Sequence, residues 1–500
     1  MVSDFYPMKR FLVIFLLLGS ALNSYSQNRN NIWCFGDSAG IDFNQTPPLP
    51  TVTSLDTRGS CVSISDSSGN LLFYANTRAT FGFNTTKIWD KSNLLMQNGD
   101  SIIGQGWYNE LSIIPKPGNQ FQYYLFTLNV ASRYGFYYSV IDMSLNGGFG
   151  AVTQKNIQLN TYKAWDAMAT VKHGNGRDWW IITKDYDSGN AQDSLHVYLV
   201  DPFGIHESIQ RIGAAVSGGS GKMTFSKNGS KFLFTEYNGL IETIDFDRCT
   251  GLFSNAQIIY NPSVNGPSIT GSALSPNGNV AYFSNADATT ELIQLDLIAP
   301  NIWASRDTIV QLTHPFETGG SLRLGPDNKI YWSCAWTNLI NFNYPYQDTM
   351  YHTENMNLSV INNPDVVGSG CNFSLYSFNL GGKRCYWGLP NNPDYDLGHV
   401  VGSVCDSLSS AVNEIKFENV FDLFPNPACD HFTLSLTAPL NSGSLIVITD
   451  QLGKIIRRVN ININSTSYEI NTADIMQGIY FVSIQNGQRT LGTQKIVIIR

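Results

Sequence analysis

The 500-residue sequence predicts an all-β chain: a β-propeller of about seven blades, with six as the alternative, followed by a small C-terminal β-sandwich. Three observations carry this. The first is a stretch that recurs. Residues 272–297 run as an apolar strand into Ser275-Pro276-Asn277-Gly278, where Pro presets φ and Asn-Gly accepts positive φ, so the chain turns tightly. A second strand, 280–284, and a third ending Gln294-Leu295-Asp296 follow. The turn returns in variants at Asp66-Ser67-Ser68-Gly69, Lys116-Pro117-Gly118, Gly174-Asn175-Gly176, Lys227-Asn228-Gly229 and Pro326-Asp327-Asn328. The second observation is the aromatic strand after each turn: Phe73-Tyr74, Tyr123-Tyr124, Trp179-Trp180, Phe232-Leu233-Phe234 and Tyr331-Trp332. A period of roughly 50 residues with several short strands per period is the mark of propeller blades. The third is composition: 14% charged and 12% aromatic residues with 43 Gly favour strands and turns over helices.

In chain order, residues 1–26 read as an export signal starting at Met8: Lys9-Arg10 is the positive region and residues 11–18 the apolar core. Ser24 and Ser26 are the small residues before cleavage, Gln27 becomes the mature start, and no Cys there suggests a lipid anchor. No later run is apolar and long enough for a transmembrane helix. Residues 27–392 form the propeller. Ile32-Trp33-Cys34-Phe35 and Gly40-Ile41-Asp42 read as the second and third strands of a blade lacking its first. Residues 385–391 are the expected missing strand, so Trp33 and Trp387 should share a blade and close the ring without free edges. First strands are expected near Cys61, Leu111, Ala167, Met223, Ala273, Leu322 and Trp387; the long stretch 338–379 keeps six blades open. Residues 393–415 read as a polar linker, and 416–500 as about seven short strands of an Ig-like sandwich.

That last segment carries a specific likeness. Phe424-Pro425-Asn426-Pro427, Asp450-Gln451-Leu452-Gly453-Lys454, Gly478-Ile479-Tyr480-Phe481-Val482 and the closing Lys495-Ile496-Val497-Ile498-Ile499-Arg500 resemble, in order, the type A C-terminal sorting domain of the type IX secretion system of Bacteroidetes. The resemblance implies a motif made of Pro425, Asn426, Pro427, Gly453, Lys454, Gly478, Tyr480 and Lys495, and the secretion machinery as partner. It also implies export through the periplasm to the outer-membrane surface or the medium, usually with cleavage of the domain. The preceding region, bounded by Trp33-Cys34-Phe35-Gly36 and Gly388-Leu389-Pro390-Asn391, resembles uncharacterised WD40-like propellers that precede such domains. That implies a fold and no activity.

Eight cysteines beyond the signal suit an oxidising compartment and disulfides. If Cys34 and Cys385 lie on neighbouring strands of the closing blade, a bond between them would staple the ring. No CxxC suggests a zinc or redox site.

Chemistry is sparse. The net charge of −8 has no basic stripe, which argues against nucleic acid. HExxH, GxSxG and a complete EF-hand loop are all missing. Ser217-Gly218-Gly219-Ser220-Gly221-Lys222 lacks the first Gly and the terminal Ser or Thr of a phosphate loop. Asp185 and Asp187 with Asp193, and Asp394 with Asp396, are the only weak suggestions of structural Ca²⁺, and no cofactor is expected. The His residues have no readable Ser or Cys partner, and the aromatic pairs fit a core between blades better than a sugar platform. The expectation is a non-enzymatic module binding a glycan or protein at the surface. The alternative is a polymer-degrading hydrolase or lyase with carboxylates converging at the propeller channel.

Overall fold

The computed structural model describes residues 28–500 apart from 79–85, 106–107, 131–134, 186–191, 217–219, 263–265, 288, 338–345, 407–419, 438, 441–442, 452, 463–464 and 487–488. The chain divides into two units, Met1–Leu408 and Ser409–Arg500. Among the described residues, the first unit holds seven successive antiparallel sheets of three or four strands. Their first strands are Ile32–Phe35, Cys61–Ser65, Leu111–Pro115, Ala164–Lys172, Gly221–Phe225, Ile269–Leu274 and Glu317–Leu324. Each neighbours the next, so the sheets turn about a common centre as propeller blades do. The last sheet meets the first through side chains: Trp33 packs edge-on against Phe43 at 5.0 Å and Tyr331 at 5.7 Å, in a cluster with Leu358, Val360 and Leu380.

The recurrent motifs have local causes. At the turn of the sixth sheet Gly278 N–H donates to Ser275 O at 2.9 Å with Gly278 at φ 73°. The Ser275 hydroxyl donates to Asn277 Oδ1 and accepts from Val280 N–H. Ser226, Asn228 and Lys231 repeat that arrangement. The aspartate ending the third strands also has a job. In Asp90, Asp142, Asp201 and Asp296 Oδ1 accepts the N–H two residues on, at 2.7–3.0 Å, which turns the chain out of the strand. The aromatic strands are core: Trp179, Trp180, Tyr331 and Trp332 are buried.

The expected closure is overturned. Ile32–Phe35 is the innermost strand of its own sheet, paired to Asp37–Asp42 with Cys34 opposite Gly40, and it neighbours Cys61–Ser65 directly. No slot remains beside it, and residues 385–391 lie in no strand. Trp387 belongs with the seventh sheet: its indole N–H donates to Thr318 Oγ1 at 2.7 Å and its carbonyl accepts from Ser321 N–H. The two chain ends meet at one bridge, Asp37 to Arg384. Gly36 permits it, because a Cβ there would stand 2.6 Å from Arg384 O.

The Cys34–Cys385 disulfide falls with that register. Both are buried free thiols, and Cys385 Sγ points at Cys334 O, 3.3 Å away. Among the described residues the disulfide is Cys249–Cys405, with Cα atoms 5.4 Å apart. It fastens the segment read as a polar linker, which departs from expectation in its first half. Tyr395 is fully buried and the first unit continues to Leu408. The remainder of that segment and the export signal lie outside the described residues.

The second unit is a sandwich of two sheets. One holds Phe421–Phe424, His431–Leu436 and Ser467–Asn471, the other Ile455–Asn460, Ser444–Thr449, Gly478–Asn486 and Arg489–Ile498. Alternation sends Phe432, Leu434, Ile446, Ile448, Val482, Ile484, Ile496 and Ile498 into one core.

Candidate functional site

Residues 384–406 run as a strap of irregular backbone through the centre of the ring, and 384–393 are all buried. At the entrance Arg384 donates to Asp37 Oδ2 at 2.7 Å and to the carbonyls of Gln347 and Met350. Arg58 lies over the Trp387 ring at 4.5 Å, a cation–π contact that caps this end. Gly388 passes so close to Gly59 that a Cβ would come within 2.1 Å of its carbonyl oxygen. Halfway through, the Asn391 amide is shared among the carbonyls of Asn109, Leu111 and Met168 at 3.0–3.4 Å, which ties the strap to two neighbouring first strands. Asn392 accepts from Ser63 N–H. Tyr395 donates its hydroxyl to Ile113 O at 2.8 Å, and its carbonyl accepts from Lys172 Nζ at 2.7 Å. At the exit Arg248 reaches the carbonyls of Lys172, His173 and Gly398, and the disulfide fixes the end.

Beneath the strap lies a layer of buried charge. Glu110 and Asp166 are both fully buried. Glu110 accepts from the Ser60 hydroxyl through one carboxylate oxygen, and the other makes no hydrogen bond. Burial first, and then the Asp166 charge, push its carboxyl well above the usual range. Lys222 donates to Asn109 Oδ1 at 2.6 Å, and burial pulls its ammonium down to about 7. Carboxylates from neighbouring blades do converge, but under a strap that seals them from the cavity side.

A cavity of about 400 Å³ remains at the exit end. First strands of four sheets form its wall through Thr170, Thr224, Leu274 and Arg323, and the strap supplies Asn392, Asp394 and Asp396. Lys227 and Asp396 are exposed at the mouth. Arg323 is enclosed by protein yet keeps part of its surface open to this space, and among the described residues its guanidinium makes no hydrogen bond or ion pair. Burial lowers its pKa to about 10, against the upward pull of Tyr395, Cys61 and Asp394. Asp396 is pushed up to about 6 by burial and then by Asp394.

The sequence-flagged residues scatter. Asp394 and Asp396 come together, with Asp394 Oδ1 accepting from Asp396 N–H at 3.0 Å. Asp187 lies outside the described residues, as does the Asp193 side chain. No group of three His, Cys, Asp or Glu able to hold a metal occurs among the described residues. Lys222 of the phosphate-loop lookalike sits inside the ring. Trp336 is flanked by His352 at 4.0 Å and His314 at 4.3 Å, so its faces are occupied. Sequence reasoning missed Arg323 and Glu110. A signal existed: Asp166, Lys222 and Arg323 are charged residues set between apolar or glycine neighbours in first strands, as Trp165-Asp166-Ala167, Gly221-Lys222-Met223 and Leu322-Arg323-Leu324.

In the second unit the sorting motif is structural. Asn426, between Pro425 and Pro427, donates to Lys495 O at 2.7 Å and accepts from Val497 N–H at 3.0 Å, so the entry is clipped to the last strand. Gly453 at φ 80° closes the Asp450 turn, and Lys454 N–H donates to Asp450 Oδ1. Tyr480 is buried, with its hydroxyl on Met476 O. Gly478 begins the strand Gly478–Asn486.

Residues 422–499 match the family described as a secretion system C-terminal sorting domain. No curated protein matches the chain in sequence. Among solved structures, PorZ of Porphyromonas gingivalis, a surface component of its type IX secretion system, is similar at 11% identity and a TM-score of 0.36. That match covers 92% of this chain, which spans only 63% of that protein's length. A putative 6-phosphogluconolactonase from Bacteroides fragilis shares 12% identity over 74% of this chain and 99% of its own, TM-score 0.45. The Cps50 (Swd1) β-propeller domain of Myceliophteria thermophila shares 11% over 61% and 93%, TM-score 0.34. Likenesses this distant carry nothing about activity. Clipped entry, motif order and matched segment together make the chain a β-propeller followed by a type IX secretion system C-terminal sorting domain.

Proposed function

We propose that the exported propeller is a binding module without catalytic activity, taking a glycan or a protein component of the cell surface or medium at the cavity beside Arg323 and Lys227. A sorting domain implies export to the surface or beyond and contact with the secretion machinery. The observation that carries the binding reading is the strap. A hydrolase site at the channel would need carboxylates open to a polymer, whereas Glu110 and Asp166 lie buried beneath residues 384–393. What the strap leaves open is a small polar pocket of the size that holds one or two rings.

The test uses the mature chain purified from a secreting host. It is applied to a glycan array and to surface extracts, and incubated in parallel with extracellular polysaccharides while reducing ends and unsaturated products are followed. Saturable binding with no product supports the reading. Turnover that disappears in Asp396→Asn would replace it with the hydrolase or lyase alternative, for which the raised carboxyl of Asp396 would be the acid.

A further inference from the structure

We infer that the channel-mouth cavity recognises a carboxylate-bearing sugar, with Arg323 holding the carboxylate and Asn392, Asp394 and Asp396 taking its hydroxyl groups. The inference rests on the binding reading above and names the ligand class for the same cavity.

Each wall group sets its own demand on an occupant. A guanidinium is a donor only, and its planar fork fits a carboxylate with two parallel hydrogen bonds. Arg323 lines the cavity, and among the described residues its guanidinium makes no hydrogen bond or ion pair. Two other arginines along the strap are engaged through several hydrogen bonds: Arg384 by Asp37 and two carbonyls, Arg248 by backbone carbonyls. An unsatisfied donor array inside a ring is costly unless something fills it. The Thr224 hydroxyl on the same wall also makes no hydrogen bond.

Charge agrees with an anion. Lys227 and Arg323 line the cavity, while Lys172 and Arg248 lie close behind it, within electrostatic reach of Asp394. These four cations face two carboxylates, Asp394 and Asp396, and no ion pair within 4.0 Å joins any of them among the described residues. The two carboxylates in turn exclude a bare inorganic anion as the best occupant. Ionised carboxylates accept and cannot donate, so they ask for hydroxyl donors around the ligand's charge. One molecule with a carboxylate and a ring of hydroxyls meets both demands, and the volume of about 400 Å³ suits one or two sugar rings. A peptide carboxylate would satisfy Arg323 and leave Asp394 and Asp396 without hydroxyl partners.

Calorimetry on the full mature chain at pH 7.5 would compare glucuronic, galacturonic and N-acetylneuraminic acids with glucose, galactose and methyl glucuronate. A C-terminal carboxylate tripeptide serves as the peptide probe. At least one acid should bind at least about tenfold more tightly than its neutral parent or methyl ester, and more tightly than the tripeptide. Arg323→Gln should remove that preference while near-UV circular dichroism stays unchanged. Lys227→Gln at the exposed mouth should weaken the acid severalfold, a second readout that holds even if the Arg323 variant does not fold. Equal binding of acid and ester, no binding of any acid at millimolar concentration, or a folded Arg323→Gln that keeps the preference each overturns the inference. Neutral glycans or a surface protein bound with the Arg323 variant unaffected would overturn it while leaving the binding reading intact. Cleavage of a polymer would instead remove the binding reading itself.

Discussion

Replacing Tyr395 with Ala tests whether the strap belongs to the fold. The side chain is fully buried in the ring, edge-on to Trp179 at 5.9 Å, with its hydroxyl on Ile113 O. Truncating a buried aromatic to Ala costs about 3–5 kcal/mol, the lost transfer energy plus the cavity left behind. An unfolding entropy of about 2.1 cal/mol/K per residue gives roughly 0.8 kcal/mol/K for a unit of about 380 residues, so the melting temperature should fall by about 4–6 °C. Tyr395→Phe keeps the packing and leaves only the Ile113 carbonyl without its donor, a loss of about 1 kcal/mol and roughly 1 °C. The assay is thermal unfolding of the mature chain followed by near-UV circular dichroism. A solvated linker residue would stay within about 0.5 kcal/mol of the parent. A Tyr395→Ala protein melting within 1 °C of the parent would therefore refute the strap as an integral part of the propeller.

Three further outcomes follow from the same structure. Removing the Cys249–Cys405 bond in a Cys249→Ser, Cys405→Ser chain opens a loop of 156 residues. By chain entropy this should cost up to about 5 kcal/mol, and limited proteolysis should then cut near Val400 to Val404; an unchanged denaturation midpoint would deny the clamp its role. Glu110→Gln should flatten the pH dependence of stability. The raised carboxyl contributes stability that is complete below the ordinary glutamate pKa of about 4.3 and is lost as pH rises through its elevated folded value. The parent should thus lose stability relative to the variant between about pH 4.5 and neutrality in urea titrations, and parallel curves would contradict the buried acid. Deleting residues 417–500 should leave a folded propeller in the periplasm of a host with the type IX system, as read by fractionation and antibody; surface or medium levels equal to the full chain would show that the domain is not the export signal.

The difference between what was legible and what was hidden lies in the range of the interactions. The Ser-Pro-Asn-Gly turn, the aromatic strand and the terminal Asp of each repeat act within a few residues, through a preset φ, a positive φ or an Asx hydrogen bond, so each is written locally. Their repetition discloses propeller architecture without any contact map. The sandwich is legible for the same reason, since alternation in 431–436 determines which side chains are buried. The Pro425-Asn426-Pro427 motif announces the sorting domain by residue order alone.

The strap carries no such periodic signal. Residues 385–391 read as a strand and those from 393 onward as a polar linker, and neither pattern discloses a buried strap. Their burial is decided by partners hundreds of positions away: Asn391 meets Leu111, Asn392 meets Ser63 and Arg384 meets Asp37, across separations of 280, 329 and 347 residues. The same distance hid the disulfide, because Cys249 and Cys405 become neighbours only when the ring brings the strap to the turn after the fifth sheet's third strand. Arg323 reads as one charge between two leucines of a mixed strand. Its place at an open cavity exists because seven first strands surround a centre that the strap fills only in part, and only the assembled ring can make that space.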